Sequence, residues 1–470
     1  MTTQLKDRRD TGTQETKANE QPSSWCFAMA GVLALVGFGQ SSWSRSVTDE
    51  TRAPLVNRDV AKGPIVPGRD QSKTQKSKST SDLSDLLDQT TDDLLKASEV
   101  RALSPLIRVK TSLTAMRLRG RIERSGEQLD VLSGLNELGR LVKSADFCKL
   151  DQERQEKLLD VLSASCVGST EYVLRLLNKL APDGKTPLID SRSFVEGVSF
   201  LDSLHKLATA PLNQNAGNRP DLINSVLNLT VLGYNYQAGA SVCGASGVLI
   251  KLNAEAPAEL LRIYADLLSL RGSVILVGGS VMQLGADAFT VGEGVDNRTA
   301  ALRVLNTSFM DFAVPGAQYS NERDCFVPNG DKAGDKVQWG LYDHQTARLL
   351  SSIYNTDFEV FQGANSAETY RRLGSLSGGL TLMALNWIPG DGVGHYVVHK
   401  ETTGNRDDRR VFFFNSATGF VHLEIGANYG TPQRRLEGRA PLLESMPEHV
   451  IANEQLRSII YAKNRMRSGK

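Results

Sequence analysis

Cysteine is scarce in this 470-residue chain, and its scarcity removes several function classes. The five cysteines, Cys26, Cys148, Cys166, Cys243 and Cys325, are odd in number, scattered, and never arranged as C-x-x-C. That pattern argues against a disulfide framework and a zinc site, and it leaves at least one free thiol. Net charge is equally scant: 54 Lys and Arg stand against 53 Asp and Glu, with both signs mixed along the chain. There is thus no electrostatic case for a nucleic-acid partner. Gly278, Gly279, Gly285, Gly292 and Gly294 match neither a phosphate loop nor a dinucleotide fingerprint, and no cofactor is expected. Asn329-Gly330-Asp331 lacks the downstream glutamate of a calcium loop and reads as a solvated turn.

A long membrane span is also missing near the N-terminus. The apolar run Trp25 to Phe38 has fourteen residues, short of the roughly 20 that cross a bilayer. It suits the apolar part of an export signal, a short anchor, or a buried or interfacial segment. The residues before it mix Asp7, Asp10, Glu15 and Glu20 with Lys and Arg, unlike an ordinary signal. Membrane association through residues 25–38 is therefore an expectation, and the compartment stays open.

What is present divides the chain. Residues 1–80 are polar and poor in large apolar side chains outside 25–38, so burial cannot offset their ordering entropy and they read as disordered. From residue 81 to 207 leucines recur at helical spacing: Leu83, Leu86, Leu87 and Leu94, then Leu158, Leu159 and Leu162, then Tyr172, Leu176 and Leu180. This all-helical region is expected to support the rest or to bind a protein partner. Residues 210–220, rich in Asn, Gly and Pro, mark a boundary. An α+β unit is expected over 221–430. It has helices at Cys243 to before Pro257, Ala258–Leu270, His344–Tyr354 and Ala367–Leu373, and strands at Ser273–Val277, Phe358–Phe361, Leu380–Leu385 and from His395. Residues 431–470 read as a polar, basic tail with one helix near Leu456–Lys463 and no chemistry.

The chemistry concentrates in three pieces: Gln237-Ala-Gly-Ala-Ser-Val-Cys243-Gly244, Gly394-His395-Tyr396, and Phe414-Asn415-Ser416. A cysteine attacks as thiolate, and a helix N-terminus or a neighbouring imidazolium favours that form. Between His395 and Asn415 run two β-rich arms around Gly404-Asn405, a hairpin pattern. Symmetric pairing about that turn sets His395 directly opposite Asn415, where the amide can hold one imidazole nitrogen while the other faces the thiol. The Gln237 side chain and the Cys243 N–H are placed to bind an oxyanion.

These residues resemble the papain-like cysteine peptidase superfamily, which also places a glutamine six residues before its nucleophile. The closest local pattern is that of the bacteriocin-processing peptidases: Gln, five residues, Cys-Gly, and later Gly-His followed by an aromatic residue. Gln237, Cys243, Gly244, Gly394, His395 and Tyr396 fit it, while Asn415-Ser416 is closer to papain's Asn-Ser. Gly244 stands where papain has an aromatic residue, and Ala417 where it has a shielding tryptophan. The resemblance covers about residues 225 to 425. It implies an α+β fold with the cysteine on a helix and the histidine and asparagine on an antiparallel sheet. It also implies thiol-dependent cleavage of a polypeptide substrate by Cys243, His395, Asn415 and Gln237. Acyl transfer or glutamine deamidation would use the same groups, and an inactive interaction protein would keep only the fold.

Overall fold

The computed structural model describes residues 80–120, 128–166, 169–195, 197–233, 235, 237, 240–291, 298–328, 338–388, 393–405, 408–417 and 442–465. The apolar run 25–38, all but the last residue of the expected disordered stretch 1–80, the loop at 329–331 and the turn at 389–392 lie outside them.

The helical half is built from α1 (Thr80–Lys96), α2 (Pro105–Arg119), α3 (Gln128–Lys143), α4 (Gln152–Ala164), α5 (Ser169–Asn178), α6 (Phe200–Thr209) and α7 (Arg219–Leu232). Its local signals are explicit. Ser104 caps α2, with Pro105 in the first turn, and Asp151 caps α4 by accepting from the Arg154 N–H at 2.9 Å. Ser199 and Asp202 form a reciprocal capping box at α6, and α7 ends at Gly233 in the left-handed region (φ 74°). One stripe of each helix turns inward: Leu158, Leu159 and Leu162 of α4, Val173 and Leu176 of α5, Leu204 and Leu207 of α6.

Further helices are α8 (Cys243–Glu255), α9 (Pro257–Leu267), α10 (Ala300–Ala313), α11 (Asp343–Tyr354) and α12 (Ser366–Gly374). Two small hairpins, β1 (Ser273–Ile275) with β2 (Val281–Gln283) and β3 (Ala317–Ser320) with β4 (Cys325–Pro328), flank them. The main sheet contains β5 (Phe358–Phe361), β6 (Thr381–Ile388), β7 (Val393–Thr403), β8 (Arg410–Asn415), β9 (Leu442–Pro447) and β10 (Leu456–Ala462). Its order is β5-β10-β6-β7-β8-β9, antiparallel throughout. The chain is thus a mixed helix-and-sheet protein, compatible with the α+β class.

Side-chain alternation gives the sheet two buried faces. Leu382, Ala384, Tyr396, Val398 and Ile460 belong to the same apolar core as α8. Met383, Leu385, Val397, Phe413, Met446, Ile459 and Tyr461 form a second core with Leu373, Val450 and Ile451. The first core runs without a break from Leu87 in α1 to Ile460 in β10. The boundary expected at 210–220 is therefore a chain turn, with apolar packing continuous across it.

Two expectations are corrected here. Leu456–Lys463 is not a helix: Leu456–Ala462 is strand β10, paired on both sides, because Ser458-Ile-Ile-Tyr461 favours a pleated, buried environment. The segment expected as a tail instead supplies two strands of the sheet. The hairpin register also differs. Val398 pairs Phe414 and His399 pairs Phe413, then a bulge at Lys400 shifts the pairing to Glu401↔Phe412 and Thr403↔Arg410. Continuing the register one step sets Asn415 opposite Val397, two residues from His395. An offset of two preserves the face, so His395 and Asn415 are diagonal neighbours instead of a direct pair.

Candidate active site

The helix α8 begins at Cys243 with no side-chain cap, so its first N–H groups are available to the thiol. The backbone N–H groups of Cys243 and Gly244 reach the sulfur, as does that of Tyr396, the residue after His395. The pairing of β7 with β8 stops at Val398↔Phe414, so this part of the β7 edge lies beyond the end of β8. One of its N–H groups there goes to the thiol. Burial pushes the Cys243 thiol above its ordinary value, against the opposing effect of those N–H groups and of the Arg457 charge. The expected lowering by the helix terminus is present but is outweighed by burial.

Gly244 explains one departure from papain. A Cβ there would lie 3.1 Å from Leu341 Cβ and 3.2 Å from Thr346 Oγ1, so the start of α11 occupies the space of a side chain. Gly247, a turn later, lets α8 approach Leu382 and Tyr396 of the sheet. The helix is fixed at both ends. Asp324 accepts from the Ser241 N–H (2.7 Å) and Oγ (2.9 Å) just before the cysteine. At the other end Lys251 Nζ reaches Leu380 O (2.7 Å), and Glu255 Oε1 accepts from the Leu380 N–H (2.6 Å).

His395 and Asn415 meet directly: imidazole Nε2 lies 2.8 Å from Asn415 Oδ1, and both residues are buried. The amide orientation is fixed by its other bonds. Asn415 Nδ2 donates to Glu444 Oε2 at 3.0 Å, and Oδ1 also accepts from the Ala417 N–H at 2.9 Å. With the oxygen facing the ring, the neutral imidazole has its proton on Nε2 and its lone pair on Nδ1. Gln237 joins the same group. Its N–H donates to Ser416 O (3.1 Å), its Oε1 accepts from Ser416 Oγ (2.6 Å), and its Nε2 donates to Ala240 O (3.2 Å). The structure thus bonds His395 to Asn415, ties Gln237 to Ser416, the residue after Asn415, and sets the Cys243 sulfur against the residue beside His395.

Several contributors were not legible as site residues. Glu444 comes from β9, and Arg457 from β10. Asp343, at the start of α11, accepts from the Tyr396 hydroxyl, from Arg457 Nη2 (2.9 Å) and from Ser458 Oγ (2.6 Å). That network links β10 and α11 to the strand residue touching the thiol. The β-forming run Ser458 to Tyr461 is the sequence signal that could have located β10 and, with it, Arg457. Nothing local marks Glu444, whose role exists only through strand pairing.

Two other described histidines have partners of their own. His205 Nε2 lies 3.2 Å from Asp160, and His399 Nε2 lies 3.2 Å from Thr402 Oγ1, with burial holding its pKa down at about 4. The four described cysteines form no disulfide, and among the described residues no cluster of three or more His, Cys, Asp or Glu is placed to hold a metal ion. Also among the described residues, no helix is long and apolar enough to cross a membrane. Comparison with protein-family models and with curated proteins found no match to this chain.

Proposed function

We propose that this protein is a thiol-dependent peptidase of papain-like arrangement, with Cys243 as nucleophile. The observation that carries the reading is the His395 Nε2–Asn415 Oδ1 bond at 2.8 Å beside a helix-terminal cysteine whose sulfur meets the Tyr396 N–H. In this reading the Cys243 sulfur attacks the carbonyl carbon of a polypeptide while its proton passes to His395 Nδ1. Asn415, oriented by Glu444, holds the imidazolium that forms. The oxyanion is met by the Cys243 N–H and by the second amide hydrogen of Gln237 Nε2. Nδ1–H then protonates the leaving amine, which leaves a thioester on Cys243. Water, deprotonated by His395, attacks the thioester, and the thiol and a carboxylic acid are released.

The raised thiol pKa favours proton transfer during attack over a preformed thiolate. The test is hydrolysis of a mixed peptide library by the full chain, read by mass spectrometry for new termini. Cleavage that disappears in Cys243→Ala supports the reading. A library that gains about one mass unit at glutamine without new termini would replace peptidase by deamidase.

A further inference from the structure

The helix α2 carries two apolar faces, and only one of them is used. Ile107, Thr111, Thr114, Ala115 and Leu118 are buried against the neighbouring helices. On the opposite side Leu106, Val109, Leu113 and Met116 are 44%, 56%, 49% and 60% exposed. Four of the eleven exposed large hydrophobic residues among the described residues therefore sit on this one helix. Their steps of three, four and three residues repeat the a/d spacing of a helix-pairing seam. Scattered exposed leucines need no explanation, but a continuous stripe over about 15 Å does.

The flanks of the stripe have one sign. The sequence of α2, Pro105–Arg119, contains Arg108, Lys110, Arg117 and Arg119 and no acidic residue. Lys110 is neutralised within the fold by Asp160 (2.8 Å) and Glu156 (3.6 Å), and Arg119 pairs with Asp88. Arg108 and Arg117 are exposed and make no ion pair among the described residues. A second copy of α2 would oppose cations to cations. A narrow two-position stripe is also poorer in apolar width than a helix that lies in a lipid interface.

We infer that the exposed face of α2 is a docking surface for an acidic amphipathic helix of a partner protein. Leucine-type side chains of that helix would fill the seam, and its Glu or Asp residues would lie over Arg108 and Arg117. The inference does not depend on the chemistry of Cys243.

The test uses the full chain and a labelled synthetic helix with Leu at a and d and Glu at e and g, read by fluorescence anisotropy. The expected result is saturable binding that weakens with added salt. Val109→Ser with Leu113→Ser should weaken it at least about tenfold, and Arg108→Glu with Arg117→Glu by a similar factor. The thermal midpoint of both variants should stay unchanged, because these side chains are exposed. No binding, or equal binding by the serine variant, overturns the inference. Sedimentation with anionic phospholipid vesicles but no peptide binding would assign the face to a membrane and overturn it. So would a dimer of the full chain that the serine variant dissolves.

Discussion

The helical half and the sheet-bearing half bury very different polar groups. Among the described residues from α1 to α7, the buried polar side chains are Thr, Ser and Gln155 alone. Most of these satisfy themselves locally: Thr91, Thr111 and Thr230 each return a hydrogen bond to the carbonyl four residues earlier. The charges of this half form pairs at its surface, such as Lys157 with Glu153 and Arg175 with Glu171. Beyond residue 233 the interior takes in Lys251, Glu259, Arg262, Arg298, His395, Asn415 and Glu444. Burying such groups is costly unless each is paired. Some partners are local, as Glu259 is to Arg262, while His395, Asn415 and Glu444 are joined across three strands. The difference teaches where the fold spends stability on arrangement: around α8 and the strands that face it.

That contrast can be broken by experiment. Glu259 and Arg262 form a buried pair at 2.6 Å, and Glu259 also accepts from the Phe194 N–H. Glu259→Gln leaves Asp266 as the charged partner of the guanidinium and should cost about 3 kcal/mol in urea unfolding. Glu444→Gln comes next: it lets the Asn415 amide turn and misorients His395. In the proposed peptidase reaction, turnover should fall about a hundredfold with little change in KM, because substrate is not touched. An unchanged kcat would mean that the asparagine is held without the carboxylate.

His399 sharpens the comparison by pH. Its folded pKa is depressed from 6.5 to about 4, chiefly by burial and then by the Arg465 charge. A depressed histidine binds its proton more tightly when unfolded, so its contribution is full above 6.5 and is lost as pH falls from there toward 4. His399→Gln should flatten the fall in stability across that window, measured as thermal midpoint against pH. The smallest effect belongs to the helical half. Thr111→Val removes only a local bond to Ile107 O and should change stability by less than about 1 kcal/mol.

Local pattern carried much of this architecture. The helix starting at Cys243, the strand Phe358–Phe361 and the helix at 343–354 are all visible as stripes, caps and apolar runs. The pairing of His395 with Asn415 was also legible, although the register was two residues off. The bulge at Lys400 has no sequence signature, and only parity saved the shared face. Strands β9, at the sheet edge, and β10, inside it, were missed because their pairing partners lie far away in sequence. Asp324 and Asp343 were missed for the same reason: their partners, Ser241 and Tyr396, lie far away in sequence. The direction of the Cys243 pKa was misjudged because burial cannot be read from a helix cap.

The most direct measurement compares alkylation rates of Cys243 and the exposed Cys148 by iodoacetamide, site by site, in the natural chain and in His395→Ala. If the imidazole takes the thiol proton, half-buried Cys243 reacts faster than Cys148 in the natural chain, and slower once His395 is gone. Equal rates for Cys243 with and without His395 would contradict a thiol–imidazole site at this position.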